Sequence, residues 1–183
     1  MMDELAVLKI VVNRLESASI CYMITGSIAA NFYATPRLTR DIDIVIDVEG
    51  NEADKLFSLF SKDFYVEIGL IKNALQDRQM FNIIHNEAIV KVDFIIRKDD
   101  EYRRIEFGRR RSIDFEGLRI DITSPEDLIL SKLSWAKDSF SEMQIRDAKN
   151  LMKTVPDLDM DYIKEWVPRL GLQEIYKKVQ ENE

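Results

Sequence analysis

The segment Asp41-Ile42-Asp43-Ile44-Val45-Ile46-Asp47 alternates acidic and apolar side chains over most of its length. A β-strand turns successive side chains to opposite faces, so the pattern predicts a strand over 41–47 with Ile42, Ile44 and Ile46 on one face. Asp41 and Asp43 then share the other. A strand with one such apolar face has to be covered. Leu5, Leu8, Val12 and Leu15 recur at helical spacing in a segment that also carries Asp3, Glu4, Lys9, Arg14 and Glu16. Residues 3–17 are therefore expected to form an amphipathic helix that packs on a sheet.

The remaining segments extend this plan. Ile20 to Ile24 is a short apolar run closed by Thr25-Gly26-Ser27, which suits a buried strand ending in a tight turn. Ala29, Ala30, Phe32 and Tyr33 suggest a short helix that stops near Pro36. Residues 51–62 read as a surface helix whose apolar contribution is Leu56, Phe57, Leu59 and Phe60. Met80 to Ile84 and Ile89 to Ile96 flank His85-Asn86-Glu87-Ala88 as a hairpin, and Arg111 to Phe115 and Leu118 to Ile122 form a shorter one around Glu116-Gly117. Ser124-Pro125-Glu126-Asp127 is a strong helix start, because serine caps free N–H groups, proline suits the first turn and the acids complement the dipole. Helices are expected over 125–137, 143–154, 159–167 and 172–180. The fold class is thus α/β (α+β), a mixed sheet flanked by helices. Residues 1–123 form its core, and 124–183 are a C-terminal helical segment packed on that core, since about 60 residues alone make a marginal one.

Composition narrows the functions. With 183 residues the chain can bury a core without disulfides, and its one cysteine, Cys21, is expected inside the apolar run. A formal charge of −7 argues against broad adhesion to nucleic acid. Arg103-Arg104 and Arg109-Arg110-Arg111 remain a local patch suited to RNA or an acidic partner. No apolar run approaches the roughly 20 residues that cross a bilayer, so a soluble, cytoplasmic protein is expected. The single histidine, His85, falls in an expected turn, which excludes a histidine-based Ser-His-Asp system and disfavours zinc catalysis. Trp135 and Trp166 read as packing residues.

The chemistry lies in a combination. Gly26-Ser27 ends one strand, Asp41-Ile42-Asp43 opens the next, and Asp93 sits in a later strand among Val90, Val92, Phe94 and Ile96. Carboxylates at i and i+2 of a strand are about 6.6 Å apart along its axis, and convergent side chains can share cations roughly 3.5–4 Å apart, as two-metal phosphoryl transfer requires. Asp41 and Asp43 alone would read as acids on a solvated face. Asp93 shares its face with Lys91 and Ile95, and an ion pair with Lys91 is too remote along the strand to be assumed, which leaves an unidentified basic partner as the alternative to metal ligation. Glycine lets a backbone approach phosphate oxygens, and serine donates through its hydroxyl and N–H. No Walker A string competes for the phosphates.

These residues resemble the polymerase-beta-type nucleotidyltransferase superfamily, whose motif is Gly-Ser, then Asp-x-Asp, then a third carboxylate on a neighbouring strand. The resemblance covers about residues 20 to 97. Thr25-Gly26-Ser27 followed by Arg37-Leu38-Thr39-Arg40-Asp41-Ile42-Asp43 looks most like its AbiEii-like branch, which includes toxin nucleotidyltransferases. The resemblance implies that Asp41 and Asp43 coordinate two Mg2+ (or Mn2+) ions, that Asp93 completes one metal site and helps deprotonate the acceptor, and that Gly26 and Ser27 hold the triphosphate. Arg37 either neutralises phosphate charge or binds Asp41 or Asp43. Ser124 to Lys132 and Arg146-Asp147 resemble the helical part of the same branch, where a lysine and a later aspartate face the nucleotide cleft. Lys132 would thus aim its ammonium at the triphosphate, and Asp147 is a weaker candidate that also reads as a surface ion pair with Arg146.

The expected activity is transfer of a nucleoside monophosphate from a triphosphate to a hydroxyl on RNA (tRNA included), protein or a small molecule. An antitoxin or other partner protein would fit a toxin-antitoxin setting, and no membrane is expected. The alternatives are a non-catalytic nucleotide-binding or regulatory module, and a glycosyltransferase using Asp-x-Asp.

Overall fold

In the computed structural model, which describes residues 4–180, seven strands form one mixed sheet. They are β1 (Cys21–Ile24), β2 (Asp41–Asp47), β3 (Phe64–Tyr65), β4 (Met80–His85), β5 (Lys91–Ile96), β6 (Arg111–Phe115) and β7 (Leu118–Ile122), ordered β3-β4-β5-β2-β1-β7-β6. Strand β2 runs parallel to β5 and β1 parallel to β7, while the other neighbours are antiparallel. The helices are α1 (Glu4–Ser17), α2 (Gly26–Tyr33), α3 (Ala53–Phe60), α4 (Ile68–Asp77), α5 (Glu101–Gly108), α6 (Pro125–Ser139), α7 (Glu142–Thr154), α8 (Met160–Arg169) and α9 (Gln173–Gln180). The expected first residue of α1, Asp3, lies outside the described residues. The chain clusters into two units, one made of the chain up to Ile28 with Leu38–Ile122, the other of Ala29–Arg37 with the chain from Thr123 onward.

The first unit is built on the face of β2 that carries the isoleucines. Ile42, Ile44 and Ile46 are fully buried, as are Val92 and Phe94 of β5 and Ile120 and Ile122 of β7. Helix α1 contributes Val7, Leu8, Val11, Val12 and Leu15, whereas Leu5, expected in this stripe, is 38% exposed at the helix start. Phe94 meets Phe60 at 5.4 Å and Phe81 at 5.2 Å between ring centroids, and Phe60 meets Phe64 edge-on at 5.5 Å. Arg14 of α1 closes this corner with a two-pronged ion pair to Asp63 (2.7 and 2.6 Å) and a bond to the Leu59 carbonyl. Those bonds hold the Asp63 carboxyl below its ordinary value.

Three elements of this unit escape the sequence pattern. Strand β3 has two residues, too few to show a period. Helix α4 starts at Glu67 with no side-chain cap and contains Gly69, a poor helix former. Helix α5 is short and mostly polar, so its Asp100 cap, bonded to the Arg103 N–H, is its main local signal. Three residues are also placed differently. Cys21 is exposed at the first position of β1, although Met23 on the same face is fully buried. His85 is not in the turn but ends β4, buried edge-on against Phe64 at 4.9 Å. Trp135 is exposed on α6, while Trp166 is buried as expected.

The second unit is helical from Thr123 onward. Ser124 Oγ accepts from the Asp127 N–H and donates to Asp127 Oδ2 at 2.6 Å, with Pro125 in the first turn, as the sequence predicts. Tyr162 of α8 donates to the other Asp127 oxygen at 2.7 Å, so a local cap also locks two helices together. No helix among the described residues is long and apolar enough to cross a membrane.

Phe94 is the hub of the aromatic cluster, and its truncation leaves a cavity where three strands and a helix meet. Phe94→Ala is expected to cost about 3–5 kcal/mol, read as a lowered urea midpoint at unchanged slope.

Candidate active site

The alternation that buries Ile42, Ile44 and Ile46 leaves Asp41, Asp43 and Val45 on the opposite face of β2. In the parallel pairing, Asp41 lies beside Lys91 and Asp43 beside Asp93. The three acids and Lys91 therefore occupy one face of two adjacent strands, at the strand starts. Asp41 is largely exposed, Asp43 is half-buried and Asp93 is buried.

Gly26 fixes how Asp43 sits. It opens α2 with φ +64°, in the left-handed region, and a Cβ at this position would fall 1.9 Å from Asp43 Oδ2. Only glycine tolerates both the dihedral and the approach. The Thr25 N–H donates to the Asp43 carbonyl at 2.9 Å, which ties the end of β1 to the start of β2. Ser27 follows in the first turn of α2 and is buried.

Lys91 is the residue that sequence reasoning set aside. Its ammonium lies 2.8 Å from Asp93 Oδ2 and 3.5 Å from Asp41 Oδ2. The hydrogen bond to Asp93 is the largest influence on Lys91 and raises its pKa above the ordinary 10.5, against the opposing effect of burial. The unidentified basic partner of Asp93 is thus its own strand neighbour. A signal existed, since residues i and i+2 share a face and a lysine stem spans the roughly 6.6 Å between them. The added attraction of Asp41 comes from strand pairing, which the sequence does not display.

The remaining oxygen, Asp93 Oδ1, is buried with no hydrogen-bond partner. Such a lone pair costs about 1–3 kcal/mol unless something meets it. The expected close convergence of all three carboxylates is not present in this arrangement: among the described residues no group of three or more His, Cys, Asp or Glu is gathered to hold a metal ion. The cation between Asp41 and Asp93 is instead the Lys91 ammonium. The donors still suit a hard divalent ion, being carboxylate oxygens with one buried oxygen unmet, as Mg2+ or Mn2+ prefers.

A second charged cluster lies in the helical unit. Arg37 donates to Asp147 through Nε (3.1 Å) and Nη2 (3.1 Å), and Lys132 donates to Asp147 Oδ2 at 2.9 Å. Lys132 and Asp147 are both buried, so Asp147 is not the surface residue that its local sequence suggests. The partner of Asp147 is not Arg146 but a residue 110 positions earlier and a lysine one helix back. Burial pushes the Asp147 carboxyl up, yet the bonds from Arg37 and Lys132 outweigh it and hold the group below its ordinary 3.8. Asn31 positions Arg37, accepting from its backbone N–H at 3.0 Å and donating to its carbonyl at 2.9 Å. Nothing in the local sequence marks Asn31 for this task.

The arginine run is partly committed. Arg103 pairs with Glu106 at 2.7 Å, and Arg110 pairs with Asp121 at 3.0 Å and stacks 4.6 Å from the Phe107 ring. Register places Arg111 in one row with Ile122, Ile24 and Ile44. The run thus sits at the sheet end that bears Asp43, three strands and about 14 Å away.

No family model matches the sequence, nor does any curated protein. Solved structures do resemble it. An antigenic nucleotidyltransferase-like protein from Paracoccidioides brasiliensis superposes with a TM-score of 0.55 at 19% identity, over 93% of this chain and 90% of that one. A lincomycin-bound lincosamide antibiotic adenylyltransferase gives 0.54 at 14% identity, over 81% and 96%. ANT(2'')-Ia in complex with adenylyl-2''-tobramycin gives 0.58 at 13% identity, over 93% and 97%. The chain shares the fold of these structures.

Two outcomes follow from the charges. Lys91→Met removes the ammonium that competes for Asp41 and Asp93, so without nucleotide Mn2+ is expected to bind several-fold tighter by electron paramagnetic resonance, and the metal-free melting point to fall. Equal Mn2+ affinity in both proteins would sink this reading of Lys91. At Asp147 the folded-state pKa lies below the unfolded one, so its stabilisation is complete above about pH 4 and is lost as pH falls through the folded value. Asp147→Asn is expected to flatten the acid limb of a stability–pH curve, and to cost about 3–5 kcal/mol at neutral pH by leaving Lys132 buried without its anion.

Proposed function

We propose that this chain transfers a nucleoside monophosphate from a nucleoside triphosphate to a hydroxyl of a small molecule, using Mg2+ or Mn2+ bound at Asp41, Asp43 and Asp93. The observation that carries the proposal is the placing of these acids on one face of paired strands, with Asp43 against Gly26. Membership in the AbiEii-like branch belongs to the same proposal and rests on the string from Arg37 to Asp43.

In the reaction, the acceptor oxygen forms a bond to the α-phosphorus while the bond from that phosphorus to the α–β bridging oxygen breaks. Pyrophosphate leaves with that electron pair. The divalent ions, when bound, lower the charge barrier at the α-phosphate and at the departing pyrophosphate. Asp93 takes the proton of the acceptor hydroxyl, the role that the resemblance to the superfamily's third carboxylate implies. Gly26 allows the backbone at the start of α2 to approach the phosphates, and the N–H groups of that first turn favour an anion. Lys91, whose ammonium lies 2.8 Å from Asp93 and 3.5 Å from Asp41, would offer a positive charge to the polyphosphate.

A small acceptor is preferred because two of the similar structures are described with antibiotics or an adenylylated antibiotic. It also suits a chain of net charge −7. An RNA acceptor is the second reading, favoured by the position of Arg109, Arg110 and Arg111 at the sheet end that bears the acids. Each α-labelled triphosphate is incubated with Mg2+ and either a small-molecule fraction or total tRNA. Label should enter a small product with release of pyrophosphate, and Asp43→Asn should lower the rate at least a thousandfold with an unchanged melting curve. Label in tRNA, falling steeply with salt, would transfer the proposal to RNA. Tighter binding of nucleotide sugars than of triphosphates would move it to glycosyl transfer.

A further inference from the structure

The helical unit contains an open groove of about 1050 Å3, lined wholly by residues of that unit. Its lining is of two kinds. Ala34, Pro36, Met152, Met160 and Val179 form an apolar part, and Arg37, Arg146, Lys149 and Lys153 bring four cations against one carboxylate, Asp147. That carboxylate is already neutralised by Arg37 and Lys132.

The three α7 cations are placed to act together. Arg146, Lys149 and Lys153 stand at i, i+3 and i+7, which puts them on one helix face over about 10 Å. Among the described residues none of them makes an ion pair or side-chain hydrogen bond, although acids outnumber bases by 33 to 26 in the chain. Like charges on neighbouring turns repel, so this face is held at a cost that an anion would relieve. Carboxylates are plentiful in the chain, yet none beyond Asp147 lines the groove.

The lining also indicates what kind of anion fits. No aromatic side chain lines the groove, so it lacks the stacking platform that single-stranded nucleic acid uses. Its volume is at the upper end of small-molecule sites, about 300–1000 Å3. Two methionines give the apolar part an adaptable surface. We infer that this groove binds a small organic anion in which two or more phosphate or carboxylate groups flank an apolar body. The cations of α7 take the charged groups, and the surface formed by Pro36, Met152, Met160 and Val179 takes the hydrocarbon.

The inference is tested on the full chain, labelled with 15N and with 13C at methionine methyls, by NMR titration with 1,6-hexanediol bisphosphate, octanedioate, inorganic phosphate and hexamethonium. The bisphosphate or the dicarboxylate should saturably shift the amides of residues 146–153 and the methyls of Met152 and Met160, and the tighter of the two identifies the charged group. Inorganic phosphate should bind at least tenfold more weakly and hexamethonium not at all. The double substitution Lys149→Glu/Lys153→Glu should weaken binding at least tenfold with a melting point no lower than the parent's, and Lys149→Gln/Lys153→Gln should weaken binding to an intermediate degree. The inference is overturned if neither divalent organic anion shifts these residues, or if inorganic phosphate binds as tightly as the bisphosphate. It is also overturned if Mg-ATP displaces the bisphosphate, which would make the groove part of a nucleotide site. An oligoribonucleotide that shifts the same residues while the small anions do not would make it an RNA surface instead.

Discussion

The parallel pairing of β2 with β5 is the interaction on which the rest of the first unit depends. Each strand alternates, so a register that sets Ile44 beside Phe94 and Ile42 beside Val92 also sets Asp43 beside Asp93. A slip of one residue would turn an isoleucine row to the acid face and carry the acids into the core. Hydrophobic burial on one side thereby specifies electrostatics on the other, and the site inherits the precision of the core. Strand β1 extends the constraint, because its last bond to the Asp43 carbonyl delivers Gly26 against the Asp43 carboxylate.

Placing acids this way has an energetic cost that the chain offsets locally. Asp93 is buried beside a core strand, and a desolvated carboxylate is tolerated only when a counter-charge or several donors meet it. Lys91 meets one of its oxygens and leaves the other bare. An ammonium is a point charge on a flexible stem, so such a partner can be exchanged for a harder cation without rebuilding the backbone. The Arg37, Lys132 and Asp147 cluster is of another kind. Its planar guanidinium grips the carboxylate with two nitrogens, its lysine is buried, and Asn31 holds the arginine backbone on both sides. The first arrangement suits exchange and the second suits rigidity.

Much of the architecture was legible because it is written in short-range periodicity and local chemistry. The strands around Asp41 to Asp47 and Lys91 to Ile96 follow from alternation, and α6 follows from its Ser-Pro-Glu-Asp start. Strand β3, α4 and α5 were not legible, since each is too short, poorly capped or too polar to leave a period. Cys21 and Trp135 were expected to be buried because they stand in apolar or helical surroundings, but exposure depends on which element covers a face, and that is not a local property.

The sequence by itself determined which residues share a face and which residue types meet: three aspartates on strands, a Gly-Ser turn, and a lysine and an aspartate on successive helices. Backbone stereochemistry repeats every two residues in a strand and every 3.6 in a helix, so these relations are local and need no partner. Only the tertiary structure decided who neutralises whom. Asp93 takes Lys91 rather than an unknown base, and Asp147 takes Arg37 and Lys132 rather than adjacent Arg146. Ion pairs are chosen by distance and burial, and both are set by how distant segments pack, whereas spacing along the chain sets neither.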